Sequence, residues 1–93
     1  DESTVVKRWW FQHIVHDVRH VVWLVNLFRF IQGRRRTWHC GAHTLVNGQE
    51  TCLVTGLAAA RQLGAGYPFD DPEARRWFNH YGSIMYGSRF RKA

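Results

Sequence analysis

His13, His16 and His20 stand three and then four residues apart. On a helix this spacing puts them along one face, where imidazoles from adjacent turns can reach a single metal ion. No cysteine or carboxylate stands at the spacing that would complete such a site, since Asp17 falls on another face. The competing reading is a set of partner-facing histidines on an aromatic helix. His39, Cys40 and His43, within HCGAH, form a second candidate, either as metal ligands or as a Cys–His nucleophile pair. On a strand, successive side chains point to opposite faces, which separates His39 from Cys40. Two cysteines in the whole chain make neither a disulfide framework nor a structural zinc site.

The remaining chemistry-bearing residues lie in RTWHCGAHTLVNGQETCLVTGLAAARQLG, Arg36 to Gly64. Thr37–Cys40 is an apolar and β-branched run that predicts a short strand, ended by Gly41. The loop 41–49 contains Gly41, Asn47 and Gly48, residues that tolerate unusual backbone angles. A helix is expected from about Glu50 to Leu63, with Leu53, Leu57 and Ala60 as its apolar positions. Gly56, Ala58, Ala59 and Ala60 are small enough to let another backbone approach, and Gly64 and Gly66 end the helix. The order of strand, glycine loop and helix start offers free N–H groups and a positive dipole end to an anion. The dinucleotide fingerprint G-x-G-x-x-G is absent.

Two further elements frame this centre. Residues 4–32 carry helical apolar spacing through Val6, Trp10, Ile14, Val18, Val21, Val25 and Phe28, without Pro or Gly until Gly33. They read as one long helix capped by Ser3 or Thr4. Between Val21 and Phe28 that helix is apolar nearly all round, the pattern of an interface. Its uninterrupted apolar run is far below the roughly 18 residues that cross a bilayer. In YPFDDPEARRWFNHYG, Asp71 reads as the N-cap and Pro72 as the first helical residue. Glu73 supports the first turn, Trp77, Phe78 and Tyr81 form the apolar face, and Gly82 reads as the stop. SIMYGSRFRKA follows as a short apolar stretch and a basic tail. The chain thus divides into 1–33, a long aromatic and basic helix; 34–67, a strand–loop–helix; and 68–93, a C-terminal helix and tail.

Ninety-three residues make one small domain, yet 45% are hydrophobic, 15% aromatic and five are tryptophan. A chain this short has little interior to hide that load, so part of its surface is expected to meet a partner, a membrane face or a large ligand. The chain opens at Asp1, and its one methionine is Met85. This sets the expectation of a processed chain or a fragment. The net charge of +6 gathers at Arg34–Arg36 and at Arg89, Arg91 and Lys92. Such a surplus suits nucleic acid, anionic lipid or a phosphate-rich cofactor. No helix-turn-helix, RNA-binding or zinc signature accompanies it, which makes nucleic acid the poorest of the three. No signal-peptide pattern stands at the start.

Thr37–Ala60 resembles the C-terminal flavin-binding motif of the FAD-dependent amine-oxidase-like flavoproteins, the NAD/FAD-binding oxidoreductases of the glutathione-reductase-like fold. The resemblance is carried by TWHCGA, HTLVNGQ, Glu50, Gly56 and LAAA, with RQLGAGYPF like the helix exit of such proteins. It implies that Gly41, Ala42 and His43 pass close to FAD. It also implies that Gln49, Glu50 and Thr51 start the helix that points at the flavin, whose positive end stabilises charge developing on the reduced ring. Two departures from the family pattern stand out. The family's aromatic residue two positions before the Glu is Gly48 here, which argues against simple amine oxidation. The N-terminal adenine-binding unit is missing, so FAD would be shared with a larger chain.

The expectations are therefore a mostly α chain with a short strand, joining an α/β FAD-binding fold when assembled with a larger FAD-binding chain. Its activity would be that of an FAD-dependent oxidoreductase acting on an organic small molecule, with a lipid-like substrate suggested by the first helix. No catalytic acid or base is evident. The competing class is a stand-alone basic helical module that binds anionic membrane or nucleic acid. A cytoplasmic or peripheral-membrane location suits either class.

Overall fold

The computed structural model describes residues 1–93. The chain is mostly helical, as the apolar spacing and cap residues predict, and contains no strand. A 3-10 turn at Glu2–Thr4 opens it, capped by the Asp1 carboxylate rather than by Ser3 or Thr4. A π-turn His20–Leu24, an α-turn Val25–Leu27 and a 3-10 turn Phe28–Phe30 run on as one irregular helix, α1 (20–30). Helix α2 spans Gln49–Gln62 and α3 spans Pro72–Tyr86. Further 3-10 turns occupy Arg34–Arg36, Ala42–Thr44 and Gly87–Arg89.

The long helix expected over 4–32 is a correction: residues 5–17 take no regular structure. The apolar spacing is present, but Val, Ile, Trp, Phe and His are middling helix formers, and a helix draws most of its stability from a packed face. Here that face finds no partner. Val6 and Trp10 are 100% exposed, and Trp9, Phe11, Ile14 and Val15 are exposed as well. Only from His20 and Val25, both buried, does the chain settle onto the rest of the molecule and wind up. The consequence is visible in the overall size. The radius of gyration is 15.8 Å, against about 12 Å for a compact chain of this length.

The strand expected at Thr37–Cys40 is a second correction. Thr37 is extended, but no second strand lies beside it. The buried Gln32 side chain supplies the missing partner. Its Oε1 accepts the His39 N–H and its Nε2 donates to the His39 carbonyl, both at 2.7 Å. One amide group thereby satisfies both polar atoms of His39 that a β-ladder would have paired.

Helices α2 and α3 make the core. Ala58 of α2 and Phe78, Met85 and Tyr86 of α3 bury together with Phe90 beyond it, flanked by Trp38, Val54, Leu57, Tyr67 and Tyr81. Both helix ends follow local chemistry. The Asp71 carboxylate accepts the N–H groups of Glu73 and Ala74, and Pro72 needs no acceptor. Helix α2 closes with Gly64 N–H on the Arg61 carbonyl and Ala65 N–H on the Ala60 carbonyl. That is a Schellman end, which Gly64 makes possible with φ of 106°. The expected stop at Gly82 is a third correction, since α3 continues to Tyr86. Gly82 is a contact rather than a terminator, because the Phe90 ring lies against its Cα.

Candidate functional site

The residues singled out in the sequence gather around the first half of α2. Gly41 donates its N–H to Thr55 Oγ1 at 2.8 Å, and that hydroxyl donates onward to the Cys52 carbonyl at 2.7 Å. Thr55 is fully buried. Thr44 closes the turn by donating its hydroxyl to the Gly41 carbonyl at 2.7 Å. One turn earlier on the same face of α2, Thr51 Oγ1 lies 2.9 Å from the Val46 carbonyl and 3.0 Å from the Gly48 carbonyl. Two threonines at i and i+4 thus bind the whole 41–48 loop to one side of the helix.

The same network explains Gly48. A Cβ there would stand 3.0 Å from Thr51 Oγ1. An aromatic residue at this position would displace the hydroxyl that anchors the loop. The first turn of α2 has no side-chain cap, in contrast to α3. The N–H groups of Gln49, Glu50 and Thr51 donate to nothing within the chain, and Gln49 and Glu50 are exposed. Three free donors and a positive helix end therefore face outward.

Gln49, Glu50 and Thr51 form the first turn of α2, Gly41 is bonded to Thr55 of that helix, and Ala42 and His43 lie in the turn that follows Gly41. The His43 ring meets Phe28 of α1 edge-on, with centroids 5.6 Å apart, and His39 meets the same ring at 6.0 Å. Cys40 is exposed and unbridged, as Cys52 is unbridged. His16 and His20 come together with centroids 4.4 Å apart, and His20 Nε2 lies 3.4 Å from the Leu45 carbonyl. His13 stays exposed. No group of three or more His, Cys, Asp or Glu side chains is arranged to hold a metal ion.

Local motifs gave no sign of a cavity of about 380 Å³ between α2 and α3. Leu53, Leu57, Tyr67, Phe69, Trp77 and Tyr81 supply its apolar wall, and Glu50 and Thr51 stand at its edge. Leu53 and Leu57 were legible as the apolar stripe of α2. The stripe faces this cavity, whereas Thr55, Ala58 and Ala59 are what α2 buries. Gly56 has nothing within 4 Å of where a Cβ would stand, so no part of this chain makes the close approach its small size would allow.

Replacing Thr55 with valine keeps the shape and removes the hydroxyl. The Gly41 N–H then loses its acceptor beside a buried side chain. The expected cost is about 1–3 kcal/mol, read by urea denaturation. Hydrogen exchange of the Gly41 amide should accelerate together with that of the 41–44 turn.

Comparisons with protein-family models, with curated proteins and with solved structures gave no match to this chain.

Proposed function

We propose that this chain is the small C-terminal part of an FAD-dependent, amine-oxidase-like oxidoreductase, completing at the start of α2 a flavin site whose remainder lies on a larger chain. The observation that carries the reading is the uncapped first turn of α2, with the N–H groups of Gln49, Glu50 and Thr51 unpaired. The donor set suits such a group. Three amides and a helix dipole favour the side of a ligand that gains negative charge. The exposed Glu50 carboxylate is an acceptor, fitted to a hydroxyl or ring N–H of the ligand and not to its phosphates. FAD, when bound, supplies the redox chemistry. This chain's part is positional: Thr51 and Thr55 hold the loop, and Gly41 and Ala42 bring backbone rather than bulk to the site.

The need for a larger chain is supported by the uncovered apolar surface. From Val5 to Ile31, fifteen large hydrophobic residues are exposed, far more than a small domain leaves bare. Organic substrate would meet the site from the aromatic side, and a lipid-like one suits that surface best. The same segment favours a second reading, a peripheral contact with anionic membrane, because Lys7 and Arg8 flank Trp9, Trp10 and Phe11. No helix is long and apolar enough to cross a membrane.

An absorbance spectrum of the natively purified protein separates the two readings. The flavin reading expects a larger chain to co-purify, flavin bands in the complex, and their loss when the chains are separated. A colourless preparation that instead binds anionic liposomes or RNA, with affinity falling steeply as salt rises, would sink it.

A further inference from the structure

The basic tail, far from α1 in sequence, folds back onto the end of that helix. Arg89 donates through its guanidinium to the Arg29 carbonyl at the end of α1, and Arg89 and Arg91 share a cavity with Gln32 and Gly33 beside the Arg34–Arg36 turn. The acidic residues stand at 1, 2, 17, 50, 70, 71 and 73, so none falls within 29–49 or 74–93. All three ion pairs of the chain, Arg8–Glu2, Arg19–Asp17 and Arg75–Asp70, lie elsewhere. Charge of one sign has been collected here without compensation.

The cavity at this junction is about 210 Å³, with Trp38, Gln62 and Tyr86 completing its wall. Its basic edge is held in place. Gln62 donates to the Arg89 carbonyl at 3.1 Å and accepts the Arg91 N–H at 2.9 Å. Arg61 donates to the carbonyls of Arg91 at 3.1 Å and Lys92 at 2.9 Å. The tail backbone is fixed by these bonds, while the Arg91 guanidinium itself makes no hydrogen bond or ion pair within the chain. Tyr86 walls the cavity, with its hydroxyl sealed from solvent.

We propose that this cavity binds a small phosphate-bearing anion, with Arg91 as its main charge partner and Arg89 as a second. Guanidinium groups match phosphate oxygens in pairs, and a volume of this size takes a phosphomonoester or diphosphate, not a nucleic-acid strand. The cavity lies at the far end of α2 from Glu50, twelve residues or about 18 Å along the axis. It therefore stands independently of the flavin reading.

Calorimetric titration of the full chain with pyrophosphate at low salt is the test. Saturable binding is expected, weakening as salt rises. Arg91→Gln should weaken it about tenfold or more. Arg91→Lys keeps the charge but loses the paired geometry, and intermediate binding is expected. Arg35→Gln, on the neighbouring turn, should leave the affinity within about twofold. Phosphate on a metabolite and on a lipid headgroup present the same chemistry. Binding no tighter on phosphatidic acid vesicles than to pyrophosphate assigns the soluble source, and tighter retention lost in Arg91→Gln assigns the lipid. Absence of saturation near 10 mM (roughly the scale of unspecific anion contacts), or equal losses in Arg35→Gln and Arg91→Gln, overturns the site.

Discussion

Alanine at Gly82 is expected to destabilise the chain by about 1–2 kcal/mol net, from an overpacking cost of about 2–3 kcal/mol. A Cβ built on Gly82 would fall 2.1, 2.2 and 2.5 Å from three atoms of the Phe90 ring, where carbon atoms ordinarily stand about 3.5–4.0 Å apart. The ring has nowhere to go. It packs edge-on to Phe78 at 5.4 Å and stacks on Tyr86 at 5.8 Å, with Phe90 itself buried. Against this stands the helix preference for alanine over glycine, about 1 kcal/mol, so the steric term wins. Urea denaturation of the single variant measures the net loss. The decisive comparison is made in a Phe90→Ala background. With the ring gone, Gly82→Ala should turn neutral or stabilise by up to about 1 kcal/mol. An equal loss in both backgrounds would show that the glycine serves some other purpose.

That glycine also marks where sequence reasoning stops. Asp71, Pro72 and Glu73 announce the start of α3 because capping is settled among neighbours. Gly64 announces the end of α2 for the same reason. Gly82 resembles Gly64 in a local reading, and only Phe90, folded back across the helix, tells them apart. The expected strand at Thr37–Cys40 fails on similar grounds. Its residues favour extension, but a strand is defined by a partner, and the partner is a single glutamine side chain. The helix over 4–32 fails for want of a surface: periodicity prescribes a face, and residues 5–17 have nothing to turn it toward.

The site was legible where it is local and hidden where it is assembled. Gln49, Glu50 and Thr51 mark a helix start in sequence and occupy one in the structure. The bond of Gly41 to Thr55, fourteen residues on, is a tertiary fact with no local signal. The contact of His43 with Phe28 is another. Tyr86 carries no local signal at all. It becomes notable only because burial closes around its hydroxyl. The basic tail was visible, but its place beside the end of α1 depends on Arg61 and Gln62 holding it down.

Alanine at Phe78 is the other large effect, an expected loss of about 3–5 kcal/mol. Phe78 is 2% exposed and joins the three parts of the core. It stands 4.6 Å from the Tyr67 ring of the segment between the helices and 5.4 Å from Phe90 of the tail, and it clusters with Ala58 of α2. Removing the ring leaves a void bordered by aromatic groups that hold one another at fixed distances, so little collapse can offset it. A domain of this length has a total stability of about 5–14 kcal/mol, and one substitution would consume a large part of it. Trp77 provides the internal control. It is the larger side chain and the preceding residue in sequence, yet it is 48% exposed at the edge of the cavity, and its truncation should cost less, about 2 kcal/mol. The order of the two losses is the test. If Trp77→Ala proved the more damaging in denaturation, α3 would have to be turned by about 100°, carrying Phe78 out of the core and Trp77 into it.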